Sequence, residues 1–504
     1  MIHEATYALA GLIFALYAVD FALSCLDDSR EPPRLRPKIP LIGHLLGLIT
    51  NGTTYYSVTS KSTDAELYTL GIFNYKIYVS NSNRLMPLIQ KASKSLSFKP
   101  FMQTATKTHS GASDETYHIF GNSDMLDSYS HAMKTSLAPG PHLDEQNLRM
   151  GKRVMADIDA LLNHSQSETQ RVKLLEWARH AIVQASSCGV YGEHHPFVRS
   201  EVERAYWTWQ DYIGLHLVGL DVTGTGYAAR EKVVDAYRQY MKRLPGDAAL
   251  LVKERVRVLR EAGVPEQDIA PMESSFGVAV FSNTSPTLFW AIWELFSRPD
   301  VLHEVREEVR LQAVTGSAKE GFELDVAALK LRCPLLLSVF QETQRMRHVH
   351  ANIRKVLYDT VIDGKFLLKA GNFLHLPAAP IHSSENIWGA SASVFDPYRF
   401  ADTKNTASVT GSAFLPWGAP PHLCPARQFA STEILIIIAL LAMRADLQPI
   451  GGIWKSPPLK TADMVTVLNP TRDVEMDVNV RKQWEGEWRL RMSESTSRIS
   501  LASG

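Results

Sequence analysis

The sequence predicts a mainly α-helical protein with a small β side sheet, arranged as a single globular domain. Apolar residues recur at helical spacing through most of residues 144–347. Strand-like stretches lie near residues 67–79 and 354–376, and the dipeptide Asp363-Gly364 in the second stretch predicts a hairpin turn. A Gly/Ser/Thr-rich stretch over residues 403–412 predicts a loop before the last long helical run.

The composition excludes several classes of function. Lys plus Arg and Asp plus Glu both total 53, so the formal net charge is zero and no excess of positive charge points to nucleic acid. With 45% apolar residues in a chain of 504, a large folded core is expected. The four cysteines (Cys25, Cys188, Cys333 and Cys424) include no C-x-x-C pair, which argues against a disulfide scaffold or a zinc site and indicates a reducing compartment.

Residues 1–26 predict a single-pass membrane anchor. From residue 5 to residue 26 the sequence is apolar apart from Asp20 and a few hydroxyl residues, and about 20 apolar residues span a bilayer. The segment has no basic start, but Ala22-Leu23-Ser24 resembles a cleavage site, so a cleaved secretory signal is the alternative. Four basic residues follow the segment, which predicts that the main body lies on the cytoplasmic side of the membrane.

Residues 27–48 predict a proline-rich hinge, and residues 49–504 the globular domain. The hinge contains Pro32, Pro33, Pro37 and Pro40. Because proline fixes φ and removes a backbone donor, this stretch is expected to be stiff and extended.

Cys424 lies just before a strongly apolar helical run, S-T-E-I-L-I-I-I-A-L-L-A-M. A thiolate at a helix N-terminus is stabilised by free backbone N–H groups and by the positive end of the helix dipole. This is the environment that an iron-ligating sulfur needs. Taken alone, however, a single buried cysteine is more often an inert small apolar residue.

The residues around Cys424 resolve this ambiguity through a resemblance. The pattern W-G-x-x-x-H-L-C-P-x-R-Q-F-A over residues 417–430 resembles the haem-binding loop of cytochromes P450, in the form of the sterol 7α-hydroxylase and prostacyclin synthase branch. The resemblance implies a cytochrome P450 fold and haem b with its iron ligated by Cys424. The loop departs from the family at Pro420, which lacks an N–H, and at Ala426, which adds a methyl group; the family usually has glycine at both positions.

Two further segments match the family at the expected spacing. Glu342 and Arg345 form E-T-Q-R on one helix face, and F-D-P-Y-R-F over residues 395–400 follows about fifty residues later. By resemblance, Arg399 completes a buried Glu-Arg-Arg network that supports the cysteine pocket structurally. His382 and Trp388 fit the segment that usually precedes it.

A third segment, F-S-N-T-S-P-T-L-F-W, lies in a long apolar helix predicted over residues 274–297. By resemblance this helix crosses the distal haem face, and Asn283 and Thr284 take the positions of the family's acid and threonine as the candidate catalytic pair. Pro286 removes a helix hydrogen bond and is expected to open a groove that holds water beside the Thr284 hydroxyl. The alternative is a polar kink without function.

Haem carries two propionates, so cations are expected at its rim. His422 and Arg354 match family positions that hold propionates, and Lys134 is a further candidate. A solvated surface lysine is the alternative for Lys134.

The resemblance implies a haem-thiolate monooxygenase that oxidises a lipophilic molecule (terpenoid, sterol or polyketide-like), with residues 98–124 and 207–220 shaping the substrate pocket. Electrons would come from NADPH through a membrane-bound cytochrome P450 reductase, with the protein at the endoplasmic reticulum. The P-H-L-C-P loop is most similar to that of filamentous-fungal members, which suggests secondary metabolism. The alternatives are a haem-thiolate isomerase, dehydratase or cyclase that needs no reductase, and a degenerate haem-binding protein.

Overall fold

The computed structural model of the chain describes residues 2–162, 170–349, 351–401, 411–419, 422–463, 465–493 and 498–502. The principal helices are α1 Ile2–Cys25, α2 Gly43–Asn51, α3 Tyr55–Ser60, α4 Met86–Lys91, α5 Lys99–Thr108, α6 Asp114–Ile119, α7 Ser123–Ser136, α8 Pro141–Leu162, α9 Leu174–Tyr191, α10 Ser200–Asp211, α11 Ile213–Leu217, α12 Thr225–Lys242, α13 Leu250–Glu261, α14 Glu266–Phe281, α15 Thr284–Phe296, α16 Pro299–Gln312, α17 Val326–Arg332, α18 Pro334–Arg347, α19 Ala378–His382, α20 Glu385–Trp388 and α21 Arg427–Arg444.

The strands are short and form small sheets beside the helices. They are β1 Arg34–Leu35, β2 Leu67–Ile72, β3 Tyr75–Ser80, β4 Leu96–Ser97, β5 Gln170–Lys173, β6 Val314–Ser317, β7 Gly321–Asp325, β8 Ala351–Val356, β9 Thr360–Ile362, β10 Phe366–Leu368, β11 Phe373–Pro377, β12 Ala445–Pro449, β13 Glu475–Val480 and β14 Trp488–Arg491. The largest sheet has the order β1-β2-β3-β11-β8-β4, and the others are β10-β9, β12-β13-β5 and β14-β7-β6. The predicted mainly helical domain with a small side sheet is confirmed.

Two helices form the centre of the core because apolar residues predominate around their whole circumference. Every residue of α15 is buried. In α21, residues 436–442 have at most 1% of their surface exposed. Helix α8 and helix α9 pack beside α21, and the predicted site lies where α14, α15 and α21 approach one another.

The Asp363-Gly364 hairpin is confirmed in its backbone conformation. Both residues have positive φ, 56° and 67°, and the Lys365 N–H donates to the Ile362 carbonyl at 3.2 Å. This is the type I′ geometry that matches the twist of two antiparallel strands. The strands that it joins are β9 and β10. The loop predicted over residues 403–412 lies, up to residue 410, outside the described residues.

The predicted membrane anchor over residues 1–26 is corrected by the structure. The segment forms α1, but among the described residues no helix is both long and apolar enough to cross a membrane. Charged residues at Glu4 and Asp20 leave only the stretch between them uncharged, which is shorter than the roughly 20 residues a span requires.

Part of the predicted hinge is folded onto the sheet. Strand β1 pairs in parallel with β2, and the Arg34 guanidinium forms two hydrogen bonds with Asp27, at 2.8 and 2.9 Å. The Lys76 ammonium on β3 contacts Asp27 at 2.6 Å and Glu31 at 2.7 Å. Residues 43–48, also assigned to the hinge, lie in α2. The segment is therefore fixed to the domain by ion pairs and a strand.

Within the helical region predicted over residues 144–347, the structure adds three strands, β5, β6 and β7. Strand β5 pairs with β13, and β7 pairs with β14 as well as with β6. Strands β5 and β7 have only four or five residues, and β13 and β14 lie more than 150 residues further along the sequence. Tertiary pairing therefore overrides the local pattern at these positions.

Candidate active site

Most of the predicted site residues line a single cavity. Its walls include Cys424, Asn283, Thr284, Arg354 and His422. The cavity has a volume of about 250 Å³. It brings the cysteine loop and the Asn283–Thr284 segment to the walls of one space.

The cysteine lies in a tight loop before α21. Its backbone N–H donates to the Trp417 carbonyl at 2.8 Å. Gly418 has φ of +85°, and a Cβ there would meet the His422 carbonyl oxygen at 3.0 Å, so this position requires glycine. Ala426 has φ of −86°, a conformation that any residue adopts. Its methyl group therefore imposes no backbone strain, and Pro420 lies outside the described residues.

The environment of the Cys424 sulfur favours the neutral thiol unless a cation binds to it. Burial raises the pKa of the thiol, whereas a hydrogen bond from the Ala426 N–H and the positive charge of Arg427 lower it. Burial is the largest of these effects. A metal ion at the sulfur reverses the balance, because a coordinated thiol is deprotonated.

Positive charge gathers at one side of the cavity. Burial lowers the pKa of the Arg354 guanidinium to about 10, and no acidic partner of Arg354 is found among the described residues. Burial, together with the charges of Arg354, Lys134 and Lys99, lowers the pKa of His422 to about 4. Lys134 itself is exposed on α7 and does not line the cavity. This side of the cavity is therefore suited to an anionic group.

Two buried donors in the cavity wall point to the same conclusion. Trp417 Nε1 and Asn352 Nδ2 are buried and have no hydrogen-bond partner among the described residues. A buried donor without a partner is costly, so such groups are expected to meet a ligand or water. Together with Arg354 and His422 they form a rim with one buried cation and several hydrogen-bonding groups. Haem, a flat apolar group with two carboxylates, fits this rim and the Cys424 sulfur.

The predicted distal helix is broken at the Asn283–Thr284 pair. Helix α14 ends at Phe281 and α15 begins at Thr284. Pro286 has no N–H for the Ser282 carbonyl four residues earlier, which is the physical reason for the break. The Thr284 hydroxyl donates to the Val280 carbonyl at 2.8 Å. Its oxygen lone pairs remain available as acceptors on the cavity side.

Asn283 joins this break to a turn near the C-terminal part of the chain. Its side-chain Oδ1 accepts a hydrogen bond from the Thr466 N–H at 2.9 Å. Because the backbone N–H is the donor, the atom that faces it must be the amide oxygen, which leaves Nδ2 as a donor. Asn283, Thr466 and Val467 all line the cavity. Nothing in the local sequence indicates this contact across 183 residues.

Glu342, Arg345 and Arg399 meet away from the cavity. The Glu342 carboxylate accepts from Arg345 twice at 2.7 Å, from Arg399 Nε at 3.1 Å and from the Asp396 N–H at 3.0 Å. Arg345 also donates to the carbonyls of His382 and Ala392. The Glu342 and Arg345 side chains have no exposed surface. The network ties α18 to the segment that precedes the cysteine loop.

The motifs did not indicate a buried carboxyl in the cavity wall. Glu433 on α21 accepts hydrogen bonds from the Ser186 hydroxyl at 2.8 and 3.0 Å and is fully buried. Burial raises its pKa to about 8, and the Ser186 bond opposes this shift only in part. The signal was present in the sequence as a lone acid within an apolar helical run, nine residues after Cys424. A pKa of about 8 keeps this carboxyl mainly protonated at pH 7.

Replacing Glu433 with glutamine is expected to stabilise the protein increasingly as pH rises. The unfolded carboxyl ionises near its ordinary pKa of 4.5, whereas the folded one keeps its proton up to about 8. The unfolded state therefore binds fewer protons between these values, and the stability of the native sequence falls with pH. The advantage of Glu433→Gln should grow by about 1.4 kcal/mol per pH unit across that window. Urea unfolding of the native protein and of Glu433→Gln, carried out near pH 4.5 and near pH 8, measures this difference in stability.

The exposed Glu145→Gln is the matched control, since 66% of the Glu145 side chain is exposed. It should show no comparable pH-dependent gain. A constant difference between Glu433→Gln and the native chain across the window would show that Glu433 is ionised in the folded protein.

The two segments predicted to shape the substrate pocket contribute unequally. Both lie wholly within the described residues. Phe98 lines the cavity, but no residue of 207–220 does. Apolar residues of α14 take that place, among them Phe276, Ala279 and Val280.

Comparison with known proteins agrees with this architecture. The profile of the cytochrome P450 family matches residues 248–476. The cytochrome P450 monooxygenase nodJ of Hypoxylon pulicicidum is 32% identical over 495 residues, which cover 95% of each chain. A cytochrome P450 monooxygenase of Gibberella zeae is 26% identical over 498 residues, 94% of each chain. The human 7-alpha-hydroxycholest-4-en-3-one 12-alpha-hydroxylase is 31% identical over 214 residues, 38% of this chain and 41% of that enzyme.

These similarities identify the class of protein: it is an oxidoreductase, specifically a monooxygenase. The chain belongs to the cytochrome P450 family, whose enzymes bind haem iron through a cysteine thiolate. The resemblance seen in the cysteine loop is thereby confirmed.

Proposed function

We propose that this chain is a haem-thiolate monooxygenase in which Cys424 is the axial ligand of haem b. The observation that supports it most directly is a single cavity whose walls contain both Cys424 and the Asn283–Thr284 pair. When bound, haem supplies the activation of molecular oxygen and the insertion of one oxygen atom into the substrate. By the family's general requirement, electrons come from a reductase, here taken to be NADPH–cytochrome P450 reductase.

The cavity rim would hold the haem carboxylates. Arg354 offers a buried positive charge without an acidic partner among the described residues, and a bound carboxylate would raise the pKa of His422 from its low value. Trp417 Nε1 and Asn352 Nδ2 offer two unused buried donors. These four groups together would fix the orientation of the cofactor. Lys134 would add only long-range attraction.

At the helix break, Asn283 and Thr284 would donate hydrogen bonds and transfer protons. Asn283 Nδ2 can donate a hydrogen bond into the cavity because its oxygen is already bound to Thr466. The Thr284 hydroxyl donates to the Val280 carbonyl and can accept a hydrogen bond from water. To relay a proton, it would rotate away from that carbonyl, take a proton from water and release its own proton into the cavity, so that it carries no net charge afterwards.

The substrate is proposed to be a lipophilic molecule such as a terpenoid, sterol or polyketide-like compound of secondary metabolism. The side of the cavity formed by α14, together with Phe98 and Val467, is apolar. The similarity to fungal monooxygenases and to a sterol 12-alpha-hydroxylase supports the class without identifying the compound.

Replacing Thr284 with alanine is expected to separate electron consumption from product formation. Loss of the hydroxyl removes the proton relay, so product per NADPH consumed should fall by about tenfold or more. Oxygen uptake, NADPH oxidation and product, measured with purified reductase and a panel of terpenoids and sterols, give this ratio. Thr284→Ser keeps the hydroxyl and should retain coupling. Unchanged coupling in Thr284→Ala would contradict the proposed relay.

A second function, haem-thiolate isomerisation, dehydration or cyclisation without a reductase, is favoured by one observation. Asn283 stands where family members usually carry an acid, and its carboxamide is fixed by Thr466 rather than free to exchange protons. Conversion of an oxygenated lipid without consumption of NADPH or oxygen would support this second function over monooxygenation. A degenerate haem-binding protein would show neither reaction.

We further propose that the protein is located at the endoplasmic reticulum with its catalytic domain facing the cytoplasm. Exposed apolar side chains on and after α1 support contact with a membrane surface, since 75% of Phe14, 60% of Phe21 and 79% of Leu26 are exposed. Sedimentation with microsomes, with and without residues 1–26, tests this location. Equal recovery of both forms in the soluble fraction would contradict it.

A further inference from the structure

Residues 498–502 run along the outside of the cysteine helix, and we call this segment the strap. Its side chains alternate between inside and outside. Ile499 and Leu501 are 1% and 6% exposed and belong to the main core, whereas Arg498 and Ser500 are exposed. An alternation of this kind is typical of an extended segment packed on one face. The strap is therefore held in place by apolar burial as well as by polar contacts.

Gln428 on α21 holds the strap with both atoms of its amide. Its Nε2 donates to the Ile499 carbonyl at 3.1 Å, and its Oε1 accepts from the Ile499 N–H at 2.8 Å. Gln428 is 3% exposed and lies four residues after Cys424, in the first turn of the helix. The side chain thus pairs with the Ile499 backbone as a neighbouring strand would.

The far end of the strap is held by a second glutamine. Gln341 Oε1 accepts from the Ala502 N–H at 2.7 Å, and Gln341 is 2% exposed. Gln341 precedes Glu342, the centre of the Glu-Arg-Arg network. The strap therefore connects the first turn of the cysteine helix with the helix that supports the cysteine pocket from behind.

The strap and the cavity lie on different faces of α21. Phe429, Ala430, Glu433 and Ile434 line the cavity, and Gln428 does not. The first turn of α21 thus lies between the cofactor cavity and the strap. The first N–H groups of a helix have no partner within the helix, and helix ends open more easily than helix centres. An external contact at this turn counters such opening.

We infer that the strap fixes the first turn of α21 and thereby the Cys424 sulfur, with Gln428 as a positioning residue. This inference rests on the proposed role of Cys424 as the iron ligand. When the turn opens, the sulfur loses its hydrogen bond from the Ala426 N–H and shifts from its position in the cavity wall. A ligand that shifts in this way is more easily lost. The strap acts on the ligand from outside the cavity, without touching haem or substrate.

The test compares Gln428→Leu with Gln184→Leu in the full-length holoenzyme. Leucine keeps the volume of the side chain and removes both bonds to Ile499. Gln184 is a buried glutamine on α9 that also binds a backbone carbonyl, that of Phe197 at 2.8 Å, and so controls for general destabilisation. The readouts are the rate at which the reduced carbon monoxide complex loses its thiolate-type Soret band at constant neutral pH, and the rate of hydrogen exchange of the amides of residues 427–431.

In Gln428→Leu we expect the rate of Soret-band loss and the rate of hydrogen exchange each to rise roughly tenfold, because two hydrogen bonds are lost. Gln184→Leu should leave both rates close to those of the native enzyme. Native rates in Gln428→Leu, or equal acceleration in both variants, would overturn the inference. A native enzyme without any thiolate-type band would instead refute the proposed ligand, and the hydrogen-exchange comparison would still test the strap.

Discussion

Replacing Cys424 with serine is expected to reduce monooxygenation by roughly 1000-fold or more, about 4 kcal/mol of activation free energy. A serine hydroxyl stays protonated near neutral pH and donates little electron density to iron, whereas thiolate donation favours cleavage of the O–O bond. The reduced carbon monoxide complex should lose its long-wavelength Soret band. The fold should persist, because the N–H bond from residue 424 to the Trp417 carbonyl does not depend on the side chain.

Cys333→Ser is the matched control for this substitution. Cys333 is 2% exposed, but it lies at the start of α18 and does not line the cavity. This variant should keep the thiolate-type band and the activity of the folded enzyme. A thiolate-type band that survives in Cys424→Ser would exclude Cys424 as the ligand.

Replacing Glu342 with alanine is expected to prevent accumulation of the folded haem protein. The change leaves the guanidinium of Arg345, with no exposed surface, and that of Arg399, 9% exposed, without their carboxylate. Removing one partner of a buried ion pair costs about 3–5 kcal/mol. That is a large part of the roughly 5–15 kcal/mol by which domains are stable. Haem content per chain and the urea midpoint of the recovered protein measure the effect.

An exposed ion pair provides the comparison. Glu145 and Arg149 lie four residues apart on α8, and 66% of the Glu145 side chain is exposed. Glu145→Ala should change stability by less than about 1 kcal/mol, because solvent screens such pairs. Similar losses in Glu145→Ala and Glu342→Ala would mean that the buried network contributes no more than a surface pair.

The parts of the fold that the sequence predicted are those set by local chemistry. The Asp363-Gly364 turn follows from two residues that tolerate positive φ. The position of Cys424 before α21 follows from the apolar run that begins after it. At Pro286 the sequence predicted a lost helix hydrogen bond, but it predicted one helix over residues 274–297 where the structure has two, ending at Phe281 and beginning at Thr284. In each case the determining residues lie within one or two turns of the feature.

The parts that it could not predict depend on contacts between distant segments. Strand β5 exists because it pairs with β13, about 300 residues later, and four residues carry too little pattern to reveal this. The Glu433–Ser186 bond joins residues 247 positions apart. The amide of Gln428 meets the strap 71 positions further on. Without the fold, a buried acid or glutamine on an apolar helix has no identifiable partner.

The amide oxygen of Asn283 connects two walls of the cavity through one hydrogen bond. It joins the end of the broken helix to the turn at residues 465–467, and both border the space left for a substrate. A molecule bulky enough to push that turn outward would draw Asn283 away from the oxygen-binding side, since the bond transmits the displacement. If Asn283 and Thr284 deliver protons as proposed, an oversized molecule would enter the cavity and still be a poor substrate, because it would misalign these two groups.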